Sequence, residues 1–383
     1  MRLNLHTSRL LRGATRRLSH DPGLAKVPVT ILAGYLGAGK TTTLNAVLRR
    51  ASAQNTRVAV VINEFGDAGI DSSLVALDSL QSSNDDIVEL PGGCACCVVR
   101  SDLIQALAAL IQSKWDAPTS TLALDRVIIE LSGLASPGPV AQTFFAEEFL
   151  NEYLHLDGIV SVVDAVNGLS VLRDGSPEAV DQAAFADRLV VNKTDLVADE
   201  GMLQELEAAL REINSAAPLF RTEKGSLAEA AWQDIGGFDL DAIDRTMSPY
   251  IAHGHGHSHS HDHHQCHDHD HDHDHGHQHD SDIQALVLES KDDLDSTALS
   301  AWMATLQGDF GPQIYRLKGI LSLRDEPRRL VCQGVHMMFQ SDFSRPWTGD
   351  EARSSKLVLI GRSLSTHEEA LRQGFLACSS TIP

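Results

Sequence analysis

The chain has 383 residues, of which 43% are hydrophobic, and it carries a net charge of -21 at pH 7. This length allows about two domains, each able to bury a core. The negative charge excludes a broad nucleic-acid surface, and no apolar run reaches the roughly 18 residues of a membrane span. Three of the six cysteines lie within Cys94–Cys97, which predicts reduced thiols for metal or redox chemistry rather than a secreted disulfide framework.

The N-terminal segment has the composition of a targeting sequence. Residues 1–20 contain five arginines and no acidic residue, with leucine, serine and threonine between them. This pattern is typical of an organelle transit peptide, most often mitochondrial. We therefore expect a mitochondrial protein whose residues 1–25 lie outside the fold. The alternative is an unstructured leader on a cytoplasmic protein.

The segment from Gly34 to Thr41 fits the phosphate-binding pattern G-x-x-x-x-G-K-[ST]. A β-branched apolar run precedes it and a stretch of helical composition follows, as such a loop requires. We predict that Lys40 reaches the β- and γ-phosphates and that the Thr41 hydroxyl binds Mg²⁺. The expected nucleotide contacts here are Gly34, Tyr35, Leu36, Gly37, Ala38, Gly39, Lys40, Thr41 and Thr42.

Apolar runs alternate with helical stretches between residues 26 and 225. The runs are 27–34, 58–62, 86–90, 126–131, 158–164, 188–192 and 217–221. They are continuous rather than alternating, as in strands that are buried on both faces. This predicts an α/β domain with a doubly wound, mainly parallel sheet, whose ligands bind beyond the carboxyl ends of the strands.

The motif Asn192-Lys193-Thr194-Asp195 follows one of these runs. In GTPases the N-K-x-D pattern reads guanine, because its aspartate accepts two hydrogen bonds that adenine cannot supply. The motif therefore predicts a GTPase, with Asn192, Lys193 and Asp195 at the base. A nucleotide kinase or ATPase would use the same phosphate loop, but this motif argues against it.

A further motif, Glu130-Leu131-Ser132-Gly133, closes the run at 126–131. We expect Glu130 to hold the Mg²⁺ shell through water and the Gly133 N–H to sense the γ-phosphate. Standard small GTPases have aspartate at the position of Glu130. The predicted catalytic set is Lys40, Glu130 and Glu64, the last as the residue that orients water.

Between these motifs lie the candidate ligands of a transition metal. Glu64 follows the run at 58–62, where a nucleotide-sensing switch would fall. Cys94, Cys96 and Cys97 suit a soft or borderline cation such as Zn²⁺ or Cu⁺. A redox pair is the alternative, but it leaves Cys96 without a role. Without a second C-x-x-C the coordination shell stays open, which suits a metal that must be handed on.

Together these motifs resemble the CobW-like metallochaperone GTPases, of the zinc-regulated GTPase metalloprotein activator type. The Gly-Cys-Ala-Cys-Cys string at 93–97 is the most specific match, and shared motifs continue to 345–347. The resemblance implies GTP hydrolysis coupled to the delivery of zinc to client apo-metalloproteins, with Cys94, Cys96, Cys97 and Glu64 as metal ligands. Asp67 departs from the glutamate of many members.

The resemblance implies GTP, Mg²⁺ and Zn²⁺ as cofactors, with Co²⁺ or Ni²⁺ left open. A cobalt or nickel insertion GTPase is therefore one alternative function. The expected partners are client apo-metalloproteins, GTP and transition-metal ions, with a homodimer left open and with neither nucleic acid nor membrane. The GTPase domain is expected at 26–225.

The rest of the chain divides into three parts. Residues 226–252 read as a connection. Residues 253–280 contain 14 histidines and six aspartates; this composition predicts a disordered tract that binds several metal ions loosely. A histidine-rich storage or buffer protein is thus a second alternative function.

Residues 281–383 are expected to form a small α+β C-terminal domain, which the resemblance makes a client or regulatory surface. It should contain a hairpin of strands Ile314–Leu323 and Leu330–Met338. We interpret His336 as a strand residue rather than a ligand. Cys332 and Cys378 are isolated and are expected to be structural.

Overall fold

The computed structural model describes residues 26–63, 86–90, 96–116, 121–245, 283–349 and 351–379. Within these residues the principal elements are a sheet of seven strands and a sheet of five. No helix in this part of the chain is long and apolar enough to cross a membrane.

The elements are numbered in chain order. The strands are β1 (Val27–Gly34), β2 (Val58–Asn63), β3 (Asp86–Leu90), β4 (Trp115–Asp116), β5 (Thr121–Leu122), β6 (Arg126–Leu131), β7 (Leu154–Asp164), β8 (Arg188–Asn192), β9 (Leu219–Thr222), β10 (Ile283–Ser290), β11 (Ile314–Ser322), β12 (Arg328–Val335), β13 (Met338–Pro346) and β14 (Ser355–Arg362). The helices are α1 (Lys40–Ala53), α2 (Cys96–Lys114), α3 (Pro137–Ala146), α4 (Glu148–Tyr153), α5 (Gly168–Arg173), α6 (Pro177–Phe185), α7 (Glu200–Ile213), α8 (Ser296–Phe310) and α9 (Glu368–Ala377).

The larger sheet is parallel throughout and has the order β3-β2-β6-β1-β7-β8-β9. Successive side chains of a strand point to opposite faces, and here both faces are covered. On β1, Val29 and Ile31 join the core under α2, α3 and α6, whereas Leu32 joins the core under α1. This double burial explains the continuous apolar runs and confirms the predicted doubly wound sheet.

The segment after β9 covers the same face of the sheet as α1. Leu227, Trp232 and Ile235 are buried there, in the same core as Val47 of α1. The Arg50 guanidinium donates to the Leu227 carbonyl at 3.1 Å. Residues 226–245, which we expected to be part of a connection, therefore complete the core on this face.

The smaller sheet is antiparallel, with the order β10-β14-β11-β12-β13. One face packs against α8 and α9. From the other face, Tyr315, Val358 and Ile360 join the core of the parallel sheet. The predicted small α+β C-terminal domain is thus confirmed, and it shares a hydrophobic core with the first domain.

The predicted hairpin strand Leu330–Met338 is wrong in its last three residues. β12 ends at Val335, His336 turns the chain with φ of 49°, and β13 begins at Met338. The apolar residues on both sides of His336 continue the pattern of the strand, so the sequence gives no turn signal. His336 is therefore a turn residue, and β13 was missed because most of its side chains are polar and exposed.

Candidate nucleotide and metal site

The phosphate loop runs directly from β1 into α1. Gly39 precedes the helix with φ of 95°, and a Cβ there would lie 2.4 Å from the Asn192 amide nitrogen. Only glycine fits this backbone and this close approach. The Lys40 ammonium donates to the carbonyls of Gly34 at 2.9 Å and Tyr35 at 3.3 Å, so it lies across the mouth of the loop.

Thr41 and Glu130 meet on one side of the loop. The Thr41 hydroxyl donates to Glu130 Oε1 at 2.8 Å. Glu130 lies on β6, paired with Leu32 of β1 and Ile62 of β2, and its side chain is buried. Two hard oxygen donors at one point are the ligand type that Mg²⁺ prefers, so these residues fit that ion.

Gly133 lies against the phosphate loop. A Cβ at this position would be 2.8 Å from the Leu36 backbone nitrogen. The Gln182 amide donates to the carbonyls of Gly133 and Ala135, both at 3.0 Å. The segment that follows β6 is therefore held between the phosphate loop and α6.

Asn192 connects two loops around the expected position of the base. Its amide donates to the Ala38 carbonyl at 3.0 Å, and its Oδ1 accepts from the Gly225 N–H at 3.0 Å. Asn192 is buried, whereas Asp195 is exposed in the short 3-10 turn that follows β8. Asn192 thus links the two loops, and the Asp195 carboxylate remains accessible to a ligand.

Lys193 adopts φ of 66° and donates to Asp164 Oδ2 at 2.8 Å. Asp164 ends β7 and also accepts from the Val166 N–H and from the Asn167 amide. Burial opposes the charge of Asp164, but these hydrogen bonds outweigh it and hold the pKa of the carboxyl below its usual value. The lysine of the N-K-x-D motif is therefore oriented by a permanent anion.

Three residues of this site were missed in the sequence: Asp164, Gln182 and Gly225. Asp164 ends an apolar run, as the recognised motifs do, and this position was a usable signal. Gly225 lies three residues after the end of β9. Gln182 lies in the middle of a helix, and nothing in the local sequence marks it.

The candidate transition-metal ligands lie largely outside the described residues. Glu64 and Cys94 are among the residues not described. Cys96 and Cys97 begin α2, but their side chains lie outside what the structure describes. The described side chains contain no group of three or more His, Cys, Asp or Glu that could hold a metal ion.

The other two described cysteines are not candidates for metal binding. Cys332 and Cys378 are free and buried. Burial raises the pKa of the Cys332 thiol to about 12, so it stays protonated.

The parallel sheet, the phosphate loop and the N-K-x-D loop define the protein as a P-loop GTPase. Residues 28–221 match the family described as CobW/HypB/UreG, nucleotide-binding domain. Residues 283–379 match the cobalamin synthesis protein cobW C-terminal domain. The chain therefore belongs to the CobW/HypB/UreG family, as the motifs suggested.

Three similar proteins illustrate this membership. The zinc chaperone YjiA of Escherichia coli is 32% identical over 91% of this chain and 98% of its own length. The zinc-regulated GTPase metalloprotein activator 1 of Schizosaccharomyces pombe is 38% identical, over 59% of this chain and 52% of its own. The crystal structure of Zn(II)-bound YjiA GTPase from E. coli has a TM-score of 0.68 and 26% identity, covering 93% of this chain and 100% of its own.

Proposed function

We propose that the protein is a GTP-hydrolysing metallochaperone that binds zinc through Cys94, Cys96, Cys97 and Glu64 and transfers it to client apo-metalloproteins. The names of the two curated relatives, a zinc chaperone and a zinc-regulated metalloprotein activator, support zinc as the cargo. Thiolate and carboxylate ligands are compatible with Zn²⁺.

GTP would lie across the phosphate loop, with guanine at Asp195. Lys40 and the N–H groups of the loop bind the phosphates, and Asn192 keeps the two loops in register. Thr41 and Glu130 would hold Mg²⁺, which supplies positive charge at the β- and γ-phosphates when bound. Hydrolysis then requires mainly positioning and neutralisation of charge.

The proposed coupling between nucleotide binding and metal binding is supported by the order of three neighbouring strands. β6 bears Glu130, and β2 and β3 follow it in the sheet. β2 leads directly to Glu64, and β3 leads to Cys94–Cys97. Both metal-bearing segments therefore leave the sheet at the edge that carries the phosphate loop, so that nucleotide and metal can bias the same segments.

The test is the linkage between the two ligands. Zinc affinity should differ about tenfold between the states loaded with GDP and with a non-hydrolysable GTP analogue, a typical coupling between sites. Competition titration with a zinc chelator measures it. Replacing Cys94, Cys96 and Cys97 by alanine should remove the difference, whereas Cys332→Ala, which removes a buried thiol, should keep it.

Two results would overturn the proposal. One is a zinc affinity that does not depend on the nucleotide. The other is a linkage that survives the loss of all three thiols. If deletion of residues 253–280 alone abolished zinc transfer while the three-thiol variant kept it, the protein would be a metal buffer instead.

We propose a mitochondrial location, on the basis of the arginine-rich leader. A fluorescent fusion of the full chain should enter mitochondria, and one lacking residues 1–25 should stay in the cytoplasm. We further propose a homodimer, to be measured by light scattering of the full chain. The mass of a single chain would exclude it.

A further inference from the structure

Helix α6 contacts the segment that would sense the γ-phosphate. Gln182 is 1% exposed, and its amide donates to the carbonyls of both Gly133 and Ala135. Its Oε1 has no hydrogen-bond partner among the described residues. A cavity of about 420 Å³ between the phosphate loop, α5 and α6 lies beside it. The amide thus binds two carbonyls of the single turn that follows β6, next to the cavity.

The same helix contacts the C-terminal domain. Asp181, next to Gln182, interacts with the Tyr315 hydroxyl of β11 and with Ser136, which precedes α3. The Phe185 ring packs edge-on against Tyr315 and His336, with centroids 5.0 Å from each. The side of α6 that carries Asp181, Gln182 and Phe185 therefore faces residues 133–136 and also β11 and the turn after β12.

A direct contact completes this arrangement. Gly138, in the first turn of α3, lies so close to the C-terminal domain that a Cβ there would be 2.9 Å from His336 Nε2 and 2.5 Å from the Phe185 ring. A shift of Gly138 toward these rings must therefore move Phe185 or His336, because packed rings leave no free volume on that side.

We propose that Gln182 is a positioning residue that holds Gly133 at the phosphate loop, and that α6 carries the nucleotide state of the GTPase domain to Tyr315 and His336 of the C-terminal domain. This inference rests on the proposed role of Gly133 as the sensor of the γ-phosphate. It assigns to the C-terminal domain a segment, residues 314–338, that responds to GTP.

The direction of the effect follows from the conformation. Gly133 packs against Leu36 of the phosphate loop while Gln182 holds its carbonyl. The hydrogen bonds of Gln182 therefore stabilise the conformation in which the Gly133 N–H can reach a γ-phosphate. GDP lacks that phosphate, so only binding of GTP should depend on Gln182.

The first experiment replaces the amide without changing its shape. Gln182→Glu should weaken binding of a non-hydrolysable GTP analogue about tenfold, roughly the effect of one buried hydrogen bond, and leave GDP binding within about twofold. Gln182→Met, which also lacks the donors but brings no charge, should show the same selective loss. Gln204→Glu, on the exposed side of α7, is the matched control and should change neither affinity.

An equal loss of affinity for both nucleotides in Gln182→Met would show that Gln182 is only a structural residue and would overturn the proposal. Unchanged binding of both nucleotides would overturn it as well. If Gly133→Pro, which lacks the N–H, bound the GTP analogue as tightly as the wild-type protein does, the failure would belong to the proposed role of Gly133 instead.

The second experiment follows the signal into the C-terminal domain. Amide hydrogen exchange of the full chain, with GDP or the GTP analogue, should show nucleotide-dependent protection in residues 132–146 and also in residues 314–338. Tyr315→Phe removes the hydroxyl that meets Asp181 and keeps the ring. It should reduce the change in 314–338 and leave the change in 132–146 intact. Two results would overturn transmission through α6. One is a nucleotide-dependent change in 314–338 of Tyr315→Phe that is as large as in the wild type, and the other is no such change in 314–338 of the wild type.

Discussion

The two ends of the parallel sheet are built in opposite ways. At the carboxyl ends, Lys40 and Lys193 are partly exposed; Lys40 donates to loop carbonyls and Lys193 donates to Asp164. At the amino ends, Asp187 is fully buried and receives Arg316 and Lys318 from the C-terminal domain. The carboxyl ends, where ligands exchange, thus have partly exposed polar contacts. The amino ends, where the domains join, have buried ion pairs.

The amino ends of the sheet are stabilised by several charged groups at once. The Arg316 guanidinium also donates to the Gly237 carbonyl at 3.0 Å and stacks 4.0 Å above the Phe238 ring. Nearby, Arg126 pairs with Asp157 at 2.7 Å, and both side chains are buried. Such pairs stabilise only while both partners are present, because a single buried charge is costly.

The largest effect is therefore expected at Asp187. Asp187→Ala should lower the free energy of unfolding by about 3–5 kcal/mol, since it leaves Arg316 and Lys318 buried without their anion. Urea unfolding of the full chain measures it. Adding Lys318→Met to this variant should recover part of the loss; a loss under about 1 kcal/mol in the single variant would break the comparison.

A smaller effect, on nucleotide binding, is expected at the carboxyl ends of the sheet. Asn192→Ala removes the hydrogen bonds to Ala38 and Gly225 and should weaken GDP binding about thirtyfold, or about 2 kcal/mol. Calorimetric titration with GDP measures it. Asn151→Ala, on α4, is the control. Binding within about twofold of the wild type would mean that the two loops keep their register without this link.

The pH dependence of stability should distinguish the two ends further. Burial, only partly offset by Asp187, lowers the pKa of Lys318 from 10.5 to about 8. Between these values the unfolded chain holds a proton that the folded chain has lost, so the free energy of unfolding should rise with pH. Urea unfolding across this window should show the rise in the wild type and not in Lys318→Met. An identical slope in both would remove Lys318 as its source.

The smallest effect is expected for an exposed pair. Arg57 and Asp125 lie 2.6 Å apart, with about two fifths of each side chain exposed. Asp125→Ala should cost about 0.2–1 kcal/mol of unfolding free energy, because water already solvates both charges. The same urea assay serves here. A cost that matched Asp187→Ala would show that burial does not decide the strength of these pairs.

The parallel sheet and the motifs in its loops could be predicted from the sequence. Continuous runs such as 58–62 and 126–131 become strands because two covered faces require apolar residues at every position. The junction between the domains could not be predicted, since Asp187 and Arg316 are 129 residues apart and no local pattern connects them. Gln182 was missed for the same reason: its role comes from the loop that tertiary packing brings to it.

The segment after β9 determines how much of the chain must be transferred for the GTPase domain to fold in another protein. The family match of the first domain ends at residue 221, yet Leu227, Trp232 and Ile235 complete the core beneath α1. A GTPase domain cut at that boundary and joined to another protein would expose an apolar face of its own sheet. The part of the chain that folds as one domain is thus longer than the part that matches the family. A fusion or recombinant that preserves folding must therefore include residues 222–245.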